Sequence, residues 1–208
     1  MVYGQQIYTP QLSRVNKFII VTLVLTFLVL SVSKVSGGDL SQYLALSPFK
    51  FFEGHIYQIL TYPFVNLELI GLIFNCLIIW FIGADIESLF GQKGYIFFLV
   101  FTVIGTALAY LIFAGLFFSG WTTSPLGGAS SICYSLLLIY GLVYKDRILS
   151  FMLIFPMKAI YFCWILIAIQ LYLGLFSAGG ASSLGHLGGM LFAYIYLRYR
   201  GLFDYFLT

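Results

Sequence analysis

Charge is what this sequence has least of. Asp, Glu, Lys and Arg make up only 8% of its 208 residues, against 62% hydrophobic residues, whereas soluble domains carry roughly 25% charged residues. So few charges cannot cover a water-facing surface, and the chain must be solvated largely by lipid. The net charge of +3 is small, and no basic patch interleaved with aromatics occurs, which excludes nucleic acid as a partner. Cysteine is equally scarce: Cys76, Cys133 and Cys163 all lie inside apolar runs. An odd number at lipid depth argues against a disulfide framework. With two histidines and no CxxC or HxxxH spacing, neither a metal nor another cofactor is expected. No internal repeat is visible, which argues against an inverted-repeat transporter.

What the chain has instead is long apolar runs. Six of them approach the ~20 residues needed to cross ~30 Å of hydrocarbon. They run from about 18 to 33, 68 to 82, 95 to 118, 128 to 144, 159 to 176 and 184 to 197. This pattern predicts an all-α membrane protein, a six-transmembrane-helix bundle formed as one domain over residues 1–208. Arg14 and Lys17 before the first run also fit a cleaved signal peptide, but the run is long for that and Ser31-Val32-Ser33-Lys34 is a poor cleavage site.

Lysine and arginine placement sets the orientation. With the N-terminus inside, the inner segments hold Arg14, Lys17, Lys93, Lys145, Arg147, Lys158, Arg198 and Arg200, and the outer ones only Lys34 and Lys50. Both termini are therefore expected in the cytoplasm. Residues 34–65 then form an outer loop rich in Phe, Ile and Tyr, too apolar for a free linker and expected to lie on the bilayer or the bundle.

Polar groups inside a bilayer each need a partner or a purpose. The candidates are Asn75, Ser130, Ser131, Ser135, Gln170 and His186. Ser130 lies fifteen residues before Lys145 and His186 twelve before Arg198, placing them roughly 22 and 18 Å above the inner surface at 1.5 Å per residue. A hydroxyl and an imidazole at matched depth on two helices can pair as nucleophile and base. Gly127, Gly128, Gly185, Gly188 and Gly189 offer the small side chains that let helix backbones approach. No carboxylate lies on the last three runs above their inner ends, so a Ser-His dyad is the available form and a triad is not. The bland alternatives are a serine bonded to its own helix, a packing face of Gly and Ser, and a satisfied packing histidine.

At these residues the sequence resembles the rhomboid family of intramembrane serine proteases, over nearly its whole length. Gly128-Ala129-Ser130-Ser131 is similar to that family's Gly-x-Ser-Gly nucleophile motif, and Gly185-His186-Leu187-Gly188-Gly189 to its histidine motif. Tyr134 stands where the family stacks an aromatic on the imidazole. The run Gly83 to Gly91 resembles its Gly-x-x-x-Glu-x-x-x-Gly, whose residue-level reading is a helix end pinned by a buried carboxylate. Tyr57-Gln58-Ile59-Leu60-Thr61-Tyr62-Pro63-Phe64 resembles the Trp-Arg-x-x-Thr lead-in to the second helix, and Phe155-Pro156-Met157-Lys158-Ala159 the lead-in to the fifth in bacterial members.

The resemblance implies a rhomboid-like bundle in which Ser130 attacks, His186 accepts its proton, and Asn75 with backbone N–H groups near Gly128 holds the oxyanion. It implies single-pass transmembrane proteins as substrates, the lipid bilayer as surroundings and a bacterial inner membrane as location. Two positions depart from the pattern: Gly71, with Asn66 five residues earlier, replaces histidine, and Ser131 replaces glycine. They motivate the alternative of a rhomboid-like pseudoprotease that binds transmembrane clients without cutting. A transporter or channel would need a polar path that the third and fifth runs lack. If the dyad is assembled, the Ser130 hydroxyl should lie within hydrogen-bond reach of His186.

Overall fold

The computed structural model describes residues 12–117, 124–149, 157–177 and 179–201. The order is α1 (Arg14–Val35), α2 (Ser41–Leu44), α3 (Pro48–Phe52), α4 (Gln58–Thr61), a 3-10 turn (Tyr62–Phe64), α5 (Leu69–Phe117), α6 (Ser130–Val143), β1 (Ile148–Leu149), β2 (Met157–Lys158), α7 (Ala159–Phe176) and α8 (Gly180–Tyr199). Three helices, α1, α5 and α7, are long and apolar enough to cross a membrane, and the protein is a helical membrane bundle.

The second and third apolar runs are not separated by a loop. Residues 83–94 carry Asp85, Glu87, Gln92 and Lys93, and two helical segments meet within them at a kink, together making the 49 residues of α5. Its direction changes at one position, Gly91, with φ +70° and ψ 160°. Only glycine enters that region at low cost. The charges before it are accommodated at the helix ends: the Arg147 guanidinium donates to the Asp85 carboxylate at 2.6 Å and to the Tyr140 hydroxyl at 3.2 Å, tying the foot of α6 to α5. The ion-paired carboxylate of the Gly83–Gly91 run is thus Asp85, while one oxygen of Glu87 is buried with no hydrogen-bond partner among the described residues.

α1 is held to α5 by a buried polar contact. The Tyr95 hydroxyl donates to Asn16 Oδ1 at 2.8 Å, and a Cβ on Gly83 would meet that hydroxyl at 2.6 Å. Interhelical hydrogen bonds of this kind are worth about 0.6 kcal/mol in membranes. α7 packs on α6, where a Cβ on Gly141 would meet Cys163 Sγ at 2.1 Å and that thiol donates to the Leu137 carbonyl. Among the described residues, the all-α expectation is modified by the two-residue antiparallel pair of β1 and β2. Of the expected fifth-helix lead-in, Phe155 and Pro156 lie outside the described residues.

The outer loop packs on itself and on the bundle, as its apolar content requires. Gln58 is fully buried; its amide donates to the Tyr43 carbonyl and accepts from the Ser47 N–H. Thr61 donates to the Leu44 carbonyl. Leu46 exchanges two backbone hydrogen bonds with Leu126, at 2.9 and 2.8 Å, and so reaches the segment that leads into α6.

Candidate active site

The site is built where the 62–66 segment meets the turn before α6. Gly128 adopts φ +101°, a left-handed conformation that a side chain disfavours, and this reverses the chain just before Ser130. Three backbone contacts hold the turn: the Leu46–Leu126 bridge, Gly128 N–H donating to the Tyr62 carbonyl at 2.9 Å, and Ala129 N–H donating to Asn66 Oδ1 at 3.4 Å. α6 then begins at Ser130. The first-turn N–H groups of a helix have no intrahelical partner and carry its positive dipole end, so they are suited to a developing anion.

Ser130 is half-buried and lines a cavity of about 450 Å³ together with Asn66, Asn75, Gly71, Gly128, Asp39 and Glu68. Asn75 Nδ2 donates to Asn66 Oδ1 at 3.1 Å, and both amides are buried. An amide has two N–H groups, so Asn75 keeps a second donor. Gly71 leaves open space: a Cβ there would meet only Glu68 Cβ, at 3.9 Å. At the rim, the Ser41 hydroxyl donates to the Asp39 carboxylate and holds that carboxyl below its ordinary range.

The ring of His186 lies 5.1 Å from that of Tyr134 at an interplanar angle of 42°. The ring contact anticipated from the sequence is therefore present, one turn of α6 beyond Ser130. The Ser130–His186 hydrogen bond is not. Both imidazole nitrogens are buried without a hydrogen-bond partner among the described residues, because the ring packs on Tyr134 while Ser130 faces the cavity. Catalytic hydrogen bonds are often long in ligand-free enzymes.

The glycines of α8 differ in role from the expectation. They seat α8 mainly on α5. A Cβ on Gly185 would meet Tyr110 Cβ at 2.9 Å, one on Gly188 would meet Ala109 Cβ at 2.1 Å, and one on Gly189 would meet Thr106 Oγ1 at 2.0 Å. Gly189 also comes near α6, where Ser135 Oγ would lie 3.4 Å from its Cβ. Positions 185, 188 and 189 share one helix face, and α5 presents the small residues opposite.

Ser131 and Ser135 point into the core, and neither faces the cavity. Ser131 is fully buried and its hydroxyl lies 3.1 Å from that of Tyr62; Ser135 donates to the Ser131 carbonyl at 2.9 Å. Gln170 is buried in α7 with its Oε1 unpartnered among the described residues. No group of three or more potential metal ligands occurs among the described residues. Sequence reasoning missed the task of Tyr62. The only available signal was that a buried serine at 131 needs a partner.

No curated protein matches the chain. The Rhomboid domain model matches residues 53–202, which takes in α4 through α8, the cavity residues Asn66, Asn75 and Ser130 and the Tyr134–His186 contact, and the chain belongs to the rhomboid family.

Proposed function

We propose that the chain is an intramembrane serine endopeptidase acting on single-pass transmembrane proteins through Ser130 and His186. The observation that carries this reading is the position of Ser130: first residue of α6, in the wall of a cavity shared with Asn66 and Asn75, with His186 against Tyr134 on the next turn. In this reading α1, the two halves of α5, α6, α7 and α8 are six spans. Both termini are cytoplasmic, and the cavity opens toward the outer side of what we take to be a bacterial inner membrane.

Substrate binding brings the imidazole and the Ser130 hydroxyl together. His186 takes the proton as Oγ bonds to the scissile carbonyl carbon, and returns it to the leaving amine. The carbonyl oxygen gains the negative charge and accepts hydrogen bonds donated by the Ser130 N–H and the second N–H of Asn75. Water then releases the acyl group. Tyr134 orients the ring, the task a triad gives to a carboxylate.

The test is covalent labelling by a fluorophosphonate. Labelling of the parent and its loss in Ser130→Ala is the expected result. A parent that neither labels nor cleaves a permissive transmembrane substrate would sink the protease reading. A second expectation concerns Asn75→Ala, which should lower turnover by about 10²–10³-fold, the size of one oxyanion donor, with KM little changed in a steady-state assay. An unchanged kcat would remove Asn75 from the mechanism.

The alternative, a pseudoprotease that binds transmembrane segments, is favoured by one observation: the imidazole nitrogens have no hydrogen-bond partner among the described residues. Binding of a transmembrane segment with equal affinity by the parent and Ser130→Ala, with no labelling, would establish it.

A further inference from the structure

One residue grips the nucleophile from both sides. Tyr62 is fully buried. Its carbonyl accepts the Gly128 N–H at 2.9 Å, two residues before Ser130. Its hydroxyl lies 3.1 Å from Ser131 Oγ, one residue after, and donates to the Val103 carbonyl of α5, also at 3.1 Å. A phenol carries one proton. With that proton on the Val103 carbonyl, the Ser131 hydroxyl supplies the hydrogen between the two oxygens. The resulting chain, Ser131 to Tyr62 to Val103, ties the first turn of α6 to the second half of α5 through a residue 69 positions before Ser131.

We propose that Tyr62 is a positioning residue for Ser130, acting through Ser131. The proposal rests on the protease reading for its consequence, not for its geometry. The turn at Gly128 fixes where the chain reverses, and a helix start held only there is free to rotate about that point. The hydroxyl pair adds a second point of attachment, so that the rotation, and with it the direction of Ser130 Oγ into the cavity, is set. Ser131, which replaces the glycine of the usual motif, is then the other half of this attachment, and its hydroxyl is taken up by Tyr62 and does not serve the oxyanion.

A structural and a positioning role predict different results in a double-mutant cycle. Tyr62→Phe keeps the ring and the backbone bond to Gly128 but leaves the buried Ser131 hydroxyl unpaired, which destabilises. Tyr62→Phe/Ser131→Ala removes both partners, which is close to neutral for stability but leaves the attachment broken. We therefore expect Tyr62→Phe to lower both the thermal midpoint and kcat, the latter about tenfold with KM unchanged, since small misplacements of a reacting group carry costs of this order and more. In the double variant the midpoint should recover while kcat stays low, and Ser131→Ala alone should show the same low kcat. A kcat that follows the midpoint back to the parent value would overturn the proposal.

The readout that does not depend on cleavage is amide hydrogen exchange over residues 126–133. Exchange there should rise in Tyr62→Phe and remain raised in the double variant, and unchanged exchange would overturn the proposal by itself. A parent that exchanges as expected but neither labels with fluorophosphonate nor cleaves would sink the protease reading and leave the attachment standing.

Discussion

Replacing His186 with alanine should lower peptide-bond hydrolysis by on the order of 10³-fold or more, the loss expected when one member of a nucleophile–base pair is removed. It should do so without unfolding the protein. The reason lies in what the imidazole does not do. Its two nitrogens are buried and make no hydrogen bond among the described residues, so no polar partner is stranded when the ring goes. A buried polar group without a partner costs free energy in an apolar setting, and a packing histidine would have been bonded. The ring keeps its contact with Tyr134, and an apolar side chain can keep that contact as well.

His186→Leu is accordingly expected to be as inactive as the alanine variant, with a thermal midpoint equal to or above the parent's. Stability withheld at a functional position is a common trade. The checks are a steady-state cleavage assay and a thermal melt in the same detergent. A variant that retains activity within tenfold of the parent would remove His186 from the proposed chemistry. A melt lowered by several degrees in His186→Leu would point to a packing role instead.

Gly188→Ala should destabilise the bundle more than any other single methyl added to α8. The new Cβ would sit 2.1 Å from Ala109 Cβ and 3.6 Å from Ala109 Cα. Ala109 has no rotamer to yield, so α8 and α5 must separate along their length. Overpacking of this kind costs about 1–3 kcal/mol, and here no flexible side chain absorbs it. The separation also carries His186 away from Tyr134, so activity should fall with stability. Gly115→Ala is the matched control. It lies in the same long helix α5, where an added Cβ meets nothing within 4 Å, and alanine there should be neutral or stabilising by about 0.5–1 kcal/mol. Thermal midpoints of the two variants, measured side by side, distinguish tight helix contact from a general intolerance of alanine. Equal midpoints would contradict the close approach of α5 and α8.

The sequence was most readable where hydropathy changes sharply. The fifth apolar run was bounded at Ala159 and Phe176, and α7 has those ends, because Lys158 and Ser177 flank it. The run from Gly83 to Gly91 reads as a helix end held by a carboxylate, and the first half of α5 does end at the Gly91 kink, although nothing in the run says which carboxylate is paired. Asp85 finds Arg147 across the bundle, and a charge with such a partner interrupts hydropathy without interrupting a helix. Within the site, Ser130, Tyr134 and His186 were visible through short motifs, in which local spacing and side-chain identity carry the information. Gln58 and Thr61 stood in a recognisable motif, but their task, holding the outer loop to itself, depends on backbone N–H and carbonyl groups 11 to 17 residues away. The tasks of Tyr62 and Asn66 were beyond reach, although Asn66 stands at a position where the family pattern has histidine. Their importance comes from contacts with residues 63 to 69 positions away, and a single sequence holds no record of such pairs.

The bend at Gly91 limits how the chain can change length. Two long helical segments meet there with no linker between them, so nothing takes up an added or missing residue. Each residue of an α-helix advances the side chains by about 100°. One insertion beside Gly91 would turn the face bearing Tyr95, Phe98, Thr102 and Thr106, all fully buried, out of the core, and bring other side chains such as the exposed Ile96 and Val100 into its place. Variation in length is therefore confined to other parts of the chain, and at residue 91 the sequence can be substituted only by what it already has.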